Sequence, residues 1–468
     1  MTSQLSADTQ FPPTVLRPGY DRNDLQPGIL HFGLGAFHRA HQGIYTQRAL
    51  QSEFGPWGIV AVNLRSPEPV EALAAQGGLY SVTVRDSHGE TSEVVGVTID
   101  WLCAARDRKR VLAYLANTSI HIVTLTVSEK AYGLHPATGG IDETHPAIAN
   151  DIANPDAPVG AIGYLVAGLA ARRNRGMRPF TVLCCDNLPS NGKVVRKLVL
   201  EMAERHDPRL ALWIETEGAF PSSMVDRIVP AATDDTRLRA RSLLGVNDAL
   251  ALDTEPFMQW VIEDEFISAR PSWEAGGALF VKNVEPYEKM KLRLLNGSHT
   301  MIAHLGLLKG LDCVRDVMAD PEFVAMTRDH MRVASATLDP VPDIDLDHYM
   351  NQLIERFSNR AIAHRNIQIA MDSSQKLPQR IFSPAVEALA AGDDGASFAR
   401  VVGLWIAALI RFKDCNDPRR DELLSAAQGA DPQDYTASFV AIEGLFPRPL
   451  ATSRPWRDLV NREVAAWL

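Results

Sequence analysis

The feature that most constrains the fold is the segment from Gly28 to Leu50, where an apolar run ends in glycines and leads into a helical pattern. The apolar run is "GILHFGL", and "GAFHRAHQGIYTQRAL" follows it. A buried strand, a glycine turn and a helix in this order favour a parallel βα unit. The first part of the chain is therefore expected to contain a parallel sheet.

Strand and helix patterns continue to alternate further along the chain. Strands are predicted at Trp57–Leu64, at Ile120–Glu129 and in "PFTVLCCDN", a helix in "GAIGYLVAGLAARRNRG", and an antiparallel pair in "GLYSVTVRD" and "TSEVVGVTIDWL". The alternation predicts an α/β fold, a Rossmann-type doubly wound sheet domain over residues 1–285. Helical periodicity dominates afterwards, so residues 286–468 are expected to form a mostly α-helical C-terminal domain.

Composition argues against nucleic acid and membrane as partners. The 468 residues carry a net charge of -10, whereas phosphate binding needs a surplus of Lys and Arg. The longest apolar run, Val401–Ile410, is too short to cross a bilayer and predicts a buried helix. Five scattered cysteines and a start without a signal-peptide pattern favour a cytoplasmic protein, a monomer or a small homo-oligomer, that acts on a small molecule.

The first glycine turn is a candidate dinucleotide site. Gly33-Leu34-Gly35-Ala36-Phe37-His38 lies where a pyrophosphate meets the amides of a helix start. His38 takes the place of the third glycine, so a tight turn that needs glycine explains the motif equally well. The acidic residue expected at the end of the second strand is missing, and Arg65 could instead favour a 2′-phosphate, so the residues alone leave NAD and NADP open.

Polar residues also follow the later strands, at the end of an open α/β sheet where ligands bind. Glu129 follows one strand, and Asn187 follows another as a candidate amide donor, with Asp186 and Asn191 as alternatives. Turn chemistry explains these residues nearly as well. Asp226, in "MVDRIVP", is a further carboxylate that also suits a plain salt bridge.

The segment "EKMKLRLLNGSH" combines helix-forming residues with four chemically active side chains. At about 100° per residue, Glu288, Lys291, Asn296 and His299 fall within an arc of roughly 140° on one helix face. A desolvated lysine can take a proton from an alcohol, an amide can donate to the reacting oxygen, and an imidazole can orient it. Glu288 could pass the proton to water. The alternative is a solvated face on a helix that links two domains.

A basic cluster follows in "AHRNIQIAMDSSQKLPQR". His364, Arg365, Lys376 and Arg380 suit a substrate carboxylate, although a helix with a solvated basic face fits the pattern too. No metal site is predicted, because the pair His38 and His41 lacks further ligands.

Taken together, the segments resemble the polyol-specific long-chain dehydrogenases, the mannitol dehydrogenase family. The resemblance runs from about Gly28 to Arg380 and rests on the motifs "HFGLGAFHRAHQ", "LTVSEKAY", "CDNLPSNG", "MVDRIVP", "EPFMQWVIEDEF" and "YEKMKLRLLNGSH". It implies a metal-independent enzyme that uses NAD. It also implies that Lys291 is the general base, that Asn187 and Asn296 bind the oxyanion, and that His299 and Glu288 assist. Glu129 and Asp226 join the Gly33–His38 turn and Arg65 as candidate cofactor-side residues.

Within this family, the sequence after Asn359 is similar to that of fructuronate reductases. The resemblance implies interconversion of D-fructuronate and D-mannonate, with His364, Arg365, Lys376 or Arg380 on the substrate carboxylate. Arg360 and Ser373 depart from the usual proline and glycine of the family. A mannitol 2-dehydrogenase or related polyol dehydrogenase is the alternative, and a dinucleotide-binding sensor without catalysis is a second one.

Overall fold

The computed structural model describes residues 3–135 and 138–468, and the chain divides into two compact units. Unit 1 ends at Val284 and unit 2 begins at Glu285. Among the described residues, every helix is too short or too polar to pass through a bilayer.

Unit 1 contains all the strands of the described chain, joined by helices. The strands are β1 (Pro27–Phe32), β2 (Gly58–Asn63), β3 (Tyr80–Arg85), β4 (Glu90–Val95), β5 (Thr98–Cys103), β6 (Ile122–Leu125), β7 (Thr181–Cys184), β8 (Ser223–Asp226), β9 (Leu252–Thr254), β10 (Gln259–Glu263) and β11 (Leu279–Val281). The α-helices are α1 (Ala36–Ala40), α2 (Gln42–Ser52), α3 (Glu68–Ala75), α4 (Ala104–Leu115), α5 (Pro146–Ala153), α6 (Ala161–Asn174), α7 (Asn191–His206), α8 (Pro208–Glu217) and α9 (Asp234–Leu244). Three 3₁₀ turns lie at Arg22–Asp24, Glu129–Tyr132 and Trp273–Gly276.

The main sheet of unit 1 has the strand order β5-β2-β1-β6-β7, and all its pairs are parallel. The chain leaves β1 towards β2 and β5, then returns to β6 and β7 on the other side. This reversal opens a crevice beyond the carboxyl ends of β1 and β6, where open α/β sheets bind ligands. The predicted Rossmann-type sheet is confirmed.

Two local predictions in unit 1 were wrong. The predicted second strand of an antiparallel pair divides in two: β4 pairs with β3, but β5 joins the parallel sheet beside β2. The single helix predicted after the glycine turn divides into α1 and α2 at His41. There φ is −123° and ψ is −85°, and the ring stacks on Phe37 while Nε2 meets the Gln259 carbonyl at 2.9 Å.

The turn after β1 depends on Gly33. Its φ is +104°, and an added Cβ would lie 2.0 Å from the Thr126 carbonyl oxygen of the loop after β6. Its N–H donates to the Val62 carbonyl of β2 at 2.8 Å. Gly35 has an ordinary φ of −88°, and its added Cβ would meet only the Gly33 carbonyl, at 3.9 Å. Gly33 therefore permits the close approach of three strand ends, whereas Gly35 is not needed for the fold.

Unit 2 is helical, as predicted. Its helices are α10 (Glu285–Met290), a first π-helix (Lys291–Asn296), α11 (Gly297–Lys309), α12 (Val314–Val317), α13 (Pro321–Ser335), α14 (Leu346–Phe357), α15 (Asn366–Ile369), α16 (Ser373–Leu377), a second π-helix (Pro378–Phe382), α17 (Ser383–Ala390), α18 (Ala396–Phe412), α19 (Arg420–Gln428), α20 (Thr436–Val440), α21 (Arg448–Thr452) and α22 (Arg454–Trp467). The central pair is α11 and α18, and α18 contains the apolar run predicted to be buried.

Several histidines are buried in the two units. Burial lowers the pKa of His31 to about 3, and lowers the pKa of His304 and of His330 to about 4. These imidazoles are therefore neutral in the folded protein at neutral pH. His330 keeps one hydrogen-bond partner, since its Nδ1 lies 3.0 Å from Ser397 Oγ.

We expect Gly33→Ala to lower the unfolding free energy by about 2–5 kcal/mol, because it combines a left-handed backbone with a clash. Gly35→Ala is the matched control and should stay within about 0.5 kcal/mol of the parent chain. Urea titration measures both values. Equal stability of the two variants would contradict the close approach at Gly33.

We also expect the unfolding free energy to fall as the pH drops from about 6.5 towards 4, because the unfolded chain binds protons that the buried imidazoles refuse. Each such histidine contributes a slope of up to about 1.4 kcal/mol per pH unit in this window. His330→Gln should reduce this slope by the contribution of about one bound proton. Urea titrations at a series of pH values test this, and an unchanged slope would show that His330 does not contribute.

Candidate active site

The carboxyl edge of the main sheet in unit 1 gathers four of the predicted positions. The Gly33 turn follows β1, Arg65 follows β2, Glu129 follows β6 and Asn187 follows β7. Because these strands are parallel neighbours, their carboxyl ends lie at the same edge. Arg65, Glu129 and Asn187 are exposed there. The loops after these strands thus lie at one edge of the sheet, as expected for an open α/β fold. The cofactor and substrate roles of their residues stay predictions.

The turn itself offers backbone rather than the side chain of His38. Gly35 is exposed and directly precedes α1, which Ala36 begins, and Phe37 stacks on His41 with ring centroids 4.9 Å apart. His38 is 1% exposed and stacks on His31 at 3.4 Å. The imidazole of His38 therefore packs in the core, and its cofactor role stays a prediction.

The structure separates Asn187 from its two alternatives after β7. The Asp186 carboxylate accepts from the Val127 and Ser128 amides at 2.9 and 3.1 Å and from the Tyr132 hydroxyl at 2.6 Å. The Asn191 amide bonds Asp186 and Ser223 backbone atoms. Both side chains thus hold loops in place, which leaves Asn187 as the exposed amide of this segment.

Asp226 lies in a different sheet of unit 1, at the end of β8, whose partner is the antiparallel β10. The Ser223 hydroxyl donates to the Cys184 carbonyl at 2.7 Å, which fixes the start of β8 against the end of β7. Asp226 is 4% exposed. Its carboxylate is consequently a buried group, and no cofactor role follows from its position alone.

In unit 2 the segment from Glu288 to His299 is helical, but its middle is not an α-helix. Lys291–Asn296 form a π-helix, in which the Gly297 N–H donates to the Leu292 carbonyl five residues earlier. The arc of about 140° assumed 100° per residue, and Lys291 and Asn296 were its two extremes. The i→i+5 bond of a π-helix places residues five apart one turn above each other. The structure therefore brings Lys291 and Asn296 closer in direction than predicted.

This helix face is buried. Lys291 and Asn296 are each 9% exposed and His299 is 5% exposed, whereas Glu288 is half-buried one turn before Lys291. Asn296 Oδ1 and His299 Nε2 have no hydrogen-bond partner within the described residues. Buried polar atoms usually have a partner, so these two atoms mark a place where a ligand could bind.

Burial, followed by the nearby charges of His364, Arg356, Arg380 and Lys291, holds the pKa of His299 well below its ordinary value. For His364, burial is again the larger cause and the charge of Lys376 the smaller one, and together they lower the pKa to about 4. Both imidazoles are therefore neutral at neutral pH, and each can donate from one nitrogen and accept at the other.

The four basic candidates occupy different positions. The His364 ring lies against His299 with centroids 5.0 Å apart, and Arg380 Nη1 donates to the Thr300 hydroxyl at 3.3 Å and towards the Asn296 carbonyl at 3.5 Å. Lys376 Nζ donates to the carbonyls of Ile369 and Met371, close to α15. Arg365 is exposed and precedes α15. His364 and Arg380 thus lie against the part of the helix that carries Asn296 and His299, whereas the charge of Lys376 acts on His304 further along it.

Two residues at the end of α14 were missed by sequence reasoning. The Phe357 ring packs on His299 at 4.5 Å, and the buried Arg356 contributes a charge close to that imidazole. A signal was present, because Arg356 falls in the apolar stripe formed by Tyr349, Leu353 and Phe357. An arginine within such a stripe is unusual unless it serves a partner or a ligand.

The arrangement in unit 2 suits acid–base chemistry on an oxygen atom. An amine, an amide and a neutral imidazole share one buried helix face, and guanidinium groups lie beside it. Among the described residues, no group of three or more His, Cys, Asp and Glu side chains is placed to hold a metal ion.

Known protein families match both units of the chain. The pattern described as the mannitol dehydrogenase Rossmann domain matches residues 27–275, and that described as the mannitol dehydrogenase C-terminal domain matches residues 283–446. The solved mannitol 2-dehydrogenase of Pseudomonas fluorescens, in a ternary complex with NAD and D-mannitol, superposes with a TM-score of 0.89 at 35% identity. The match covers 99% of this chain and 96% of that one.

Curated relatives span nearly the full length. The chain is 43% identical to D-mannonate oxidoreductase of Escherichia coli K12, over 98% of this chain and 96% of the relative. It is 40% identical to the uncharacterized oxidoreductase YeiQ of the same organism, over 97% and 96%. With matches to both domain patterns and to full-length relatives, the chain belongs to the mannitol dehydrogenase family.

Proposed function

We propose that this dehydrogenase interconverts D-fructuronate and D-mannonate with NAD(H), using Lys291 as the base. The observation that carries the proposal is the buried face of unit 2 on which Lys291, Asn296 and His299 lie beside Arg356 and Arg380. The first three side chains suit an alcohol–ketone conversion, and the two guanidinium groups suit a carboxylate.

The turn after β1 fits a dinucleotide. It lies at the reversal of strand order, and Gly35 is exposed with open space where a side chain would be, so a pyrophosphate could approach the backbone. Gly33, Gly35 and the amides of Ala36 and Phe37 would hold it. Bound NAD supplies the acceptor for a hydride. The Pseudomonas relative is solved with NAD, which supports NAD over NADP.

In the oxidation direction, Lys291 removes the proton of the substrate hydroxyl. Asn296 turns its amide N–H towards the developing oxyanion. His299 orients the same oxygen through Nε2, which has no partner among the described residues. The neutral state of His299 suits this task, because a neutral imidazole can donate a hydrogen bond to the oxygen without adding a further cation beside Lys291. Glu288 lies half-buried one turn before Lys291 and can relay the proton to solvent. Asn187 is kept as a second amide donor on the resemblance alone.

The preference for a sugar acid rests on buried cations. Arg356 and Arg380 are both buried near His299, and a guanidinium binds a carboxylate through two parallel hydrogen bonds. His364 can add a hydrogen bond as a neutral imidazole. Lys376 and Arg365 are weaker candidates, because Lys376 already donates to backbone carbonyls and Arg365 is exposed. The 43% identity to D-mannonate oxidoreductase supports the same substrate class.

A neutral polyol is the second candidate. The Pseudomonas mannitol 2-dehydrogenase matches this chain with a TM-score of 0.89 and binds D-mannitol. On that hypothesis the cations beside His299 only stabilise unit 2. A cytoplasmic location and a small oligomer remain predictions.

We expect Lys291→Ala to lower kcat by about 10²–10⁴-fold, because the base is lost, while NADH binding stays close to that of the parent enzyme. Lys289→Ala is the matched control, since Lys289 pairs with Glu285 and Asp339 on the surface at 2.9 and 3.4 Å. Steady-state kinetics and NADH fluorescence titration measure both quantities.

Unchanged turnover in Lys291→Ala would show that this lysine is not the general base. Tight NADH binding without turnover of any sugar acid or polyol by the parent protein would favour the sensor hypothesis instead.

Among D-fructuronate, D-tagaturonate and D-fructose, we expect D-fructuronate to give the fastest NADH oxidation. The rate should be lower when NADPH replaces NADH. Arg356→Gln should then reduce kcat/KM for D-fructuronate by roughly tenfold to a hundredfold, and that for D-fructose much less, because only the acid offers a carboxylate.

The control for this comparison is Arg328→Gln, on the exposed surface of α13, where Arg328 bonds Asn351. Equal losses on both substrates in Arg356→Gln would assign Arg356 to packing. A higher kcat/KM for D-fructose in the parent enzyme would establish the polyol alternative.

A further inference from the structure

The two π-helices of unit 2 lie against each other. Besides Lys291–Asn296, a π-helix spans Pro378–Phe382, where the Ser383 N–H donates to the Pro378 carbonyl. Gly297 permits the contact, because an added Cβ would come within 3.3 Å of the Arg380 carbonyl oxygen. Two adjacent π-helices are unusual, since this conformation is rare and mostly occurs as single turns at functional sites.

One side of the first π-helix is held by Arg380. Its guanidinium donates to the Thr300 hydroxyl, which itself donates to the Asn296 carbonyl at 2.9 Å. Asn296 ends the π-helix, so these bonds fix the turn in which the helix returns to the α form. The carbonyl of Asn296 thereby obtains a partner beyond the helix backbone.

The other side is held by Arg293. Arg293 is 4% exposed and forms a bidentate ion pair with Glu387 of α17, with N–O distances of 2.6 and 2.7 Å. It also donates to the Thr337 hydroxyl at 2.8 Å. Arg293 lies two residues after Lys291, so its side chain points away from the face that Lys291 shares with Asn296. It has no place in substrate contact.

The ion pair connects the first π-helix to the helix that follows the second one. Glu387 belongs to α17, which continues directly from the second π-helix, and Arg293 lies inside the first. A π-helix contains one residue more per turn than the α-helix, and its weaker geometry needs support from its surroundings. A bidentate arginine pair gives such support with a defined direction.

We propose that Arg293 and Glu387 are positioning residues that hold the π-helical turn, and with it the alignment of Lys291 and Asn296. The inference rests on the proposed function of that lysine and amide. Loss of the pair lets the turn relax, which moves Lys291 relative to Asn296 without removing either group. The consequence is slower chemistry at retained cofactor binding.

The test compares Glu387→Gln and Arg293→Lys with Asp434→Asn. Asp434, just before α20, pairs with Arg457 of α22 at 2.5 Å in the same unit, so its loss reports a purely structural cost. We expect Glu387→Gln to lower kcat by about tenfold to a hundredfold with an unchanged KM for NADH, and to shift the pH profile of kcat. Arg293→Lys keeps the positive charge, so its kcat should fall less than that of Glu387→Gln. Asp434→Asn should lower the unfolding temperature while kcat stays near that of the parent.

Lys291→Ala, measured alongside, separates the two hypotheses. If Lys291→Ala is inactive but Glu387→Gln keeps its kcat and pH profile, the positioning role is wrong and the proposed function stands. If Lys291→Ala keeps full turnover, both fail. If Glu387→Gln and Asp434→Asn change kcat and unfolding temperature alike, the pair is only structural and the inference is overturned.

Discussion

Burial of the helix from Gly297 to Lys309 is the constraint around which unit 2 is organised. The helix packs against α12, α13, α15 and α18, so nearly all its residues are removed from water. A helix enclosed in this way must be apolar or must have partners for its polar groups. His304 finds its partner in the Thr300 carbonyl at 2.9 Å. Asn296 and His299, at the start of the same helix, keep polar atoms that the described protein does not satisfy.

This contrast indicates where binding energy is available. Leaving a buried acceptor or donor without a partner costs free energy of about 1–3 kcal/mol for each group. A substrate hydroxyl that donates to Asn296 Oδ1, or a substrate oxygen that accepts from His299 Nε2, recovers this cost. The second bond gains most when that oxygen carries charge in the transition state. The buried guanidinium groups beside the neutral imidazoles are the observation on which the proposed preference for a sugar acid rests.

Much of unit 1 could be predicted because its signals are local. The glycine turn after β1 and the polar ends of β6 and β7 follow from strand patterns, and parallel pairing then brings those ends to one edge. The separate fates of β4 and β5 could not be predicted, since one apolar stretch serves two sheets and only tertiary pairing decides between them. The burial of His38 was likewise hidden, because it depends on the distant stacking partner His31.

In unit 2 the sequence indicated which residues would share one helix face, but it did not give their geometry. Periodicity assumed a regular α-helix, whereas the segment Lys291–Asn296 has one residue more than a regular turn can hold. Such a segment is sensitive to length in a way that a loop is not. Loss of one residue between Lys291 and Asn296 would remove the need for the π-helix, because residues four apart already lie one turn above each other in a regular α-helix.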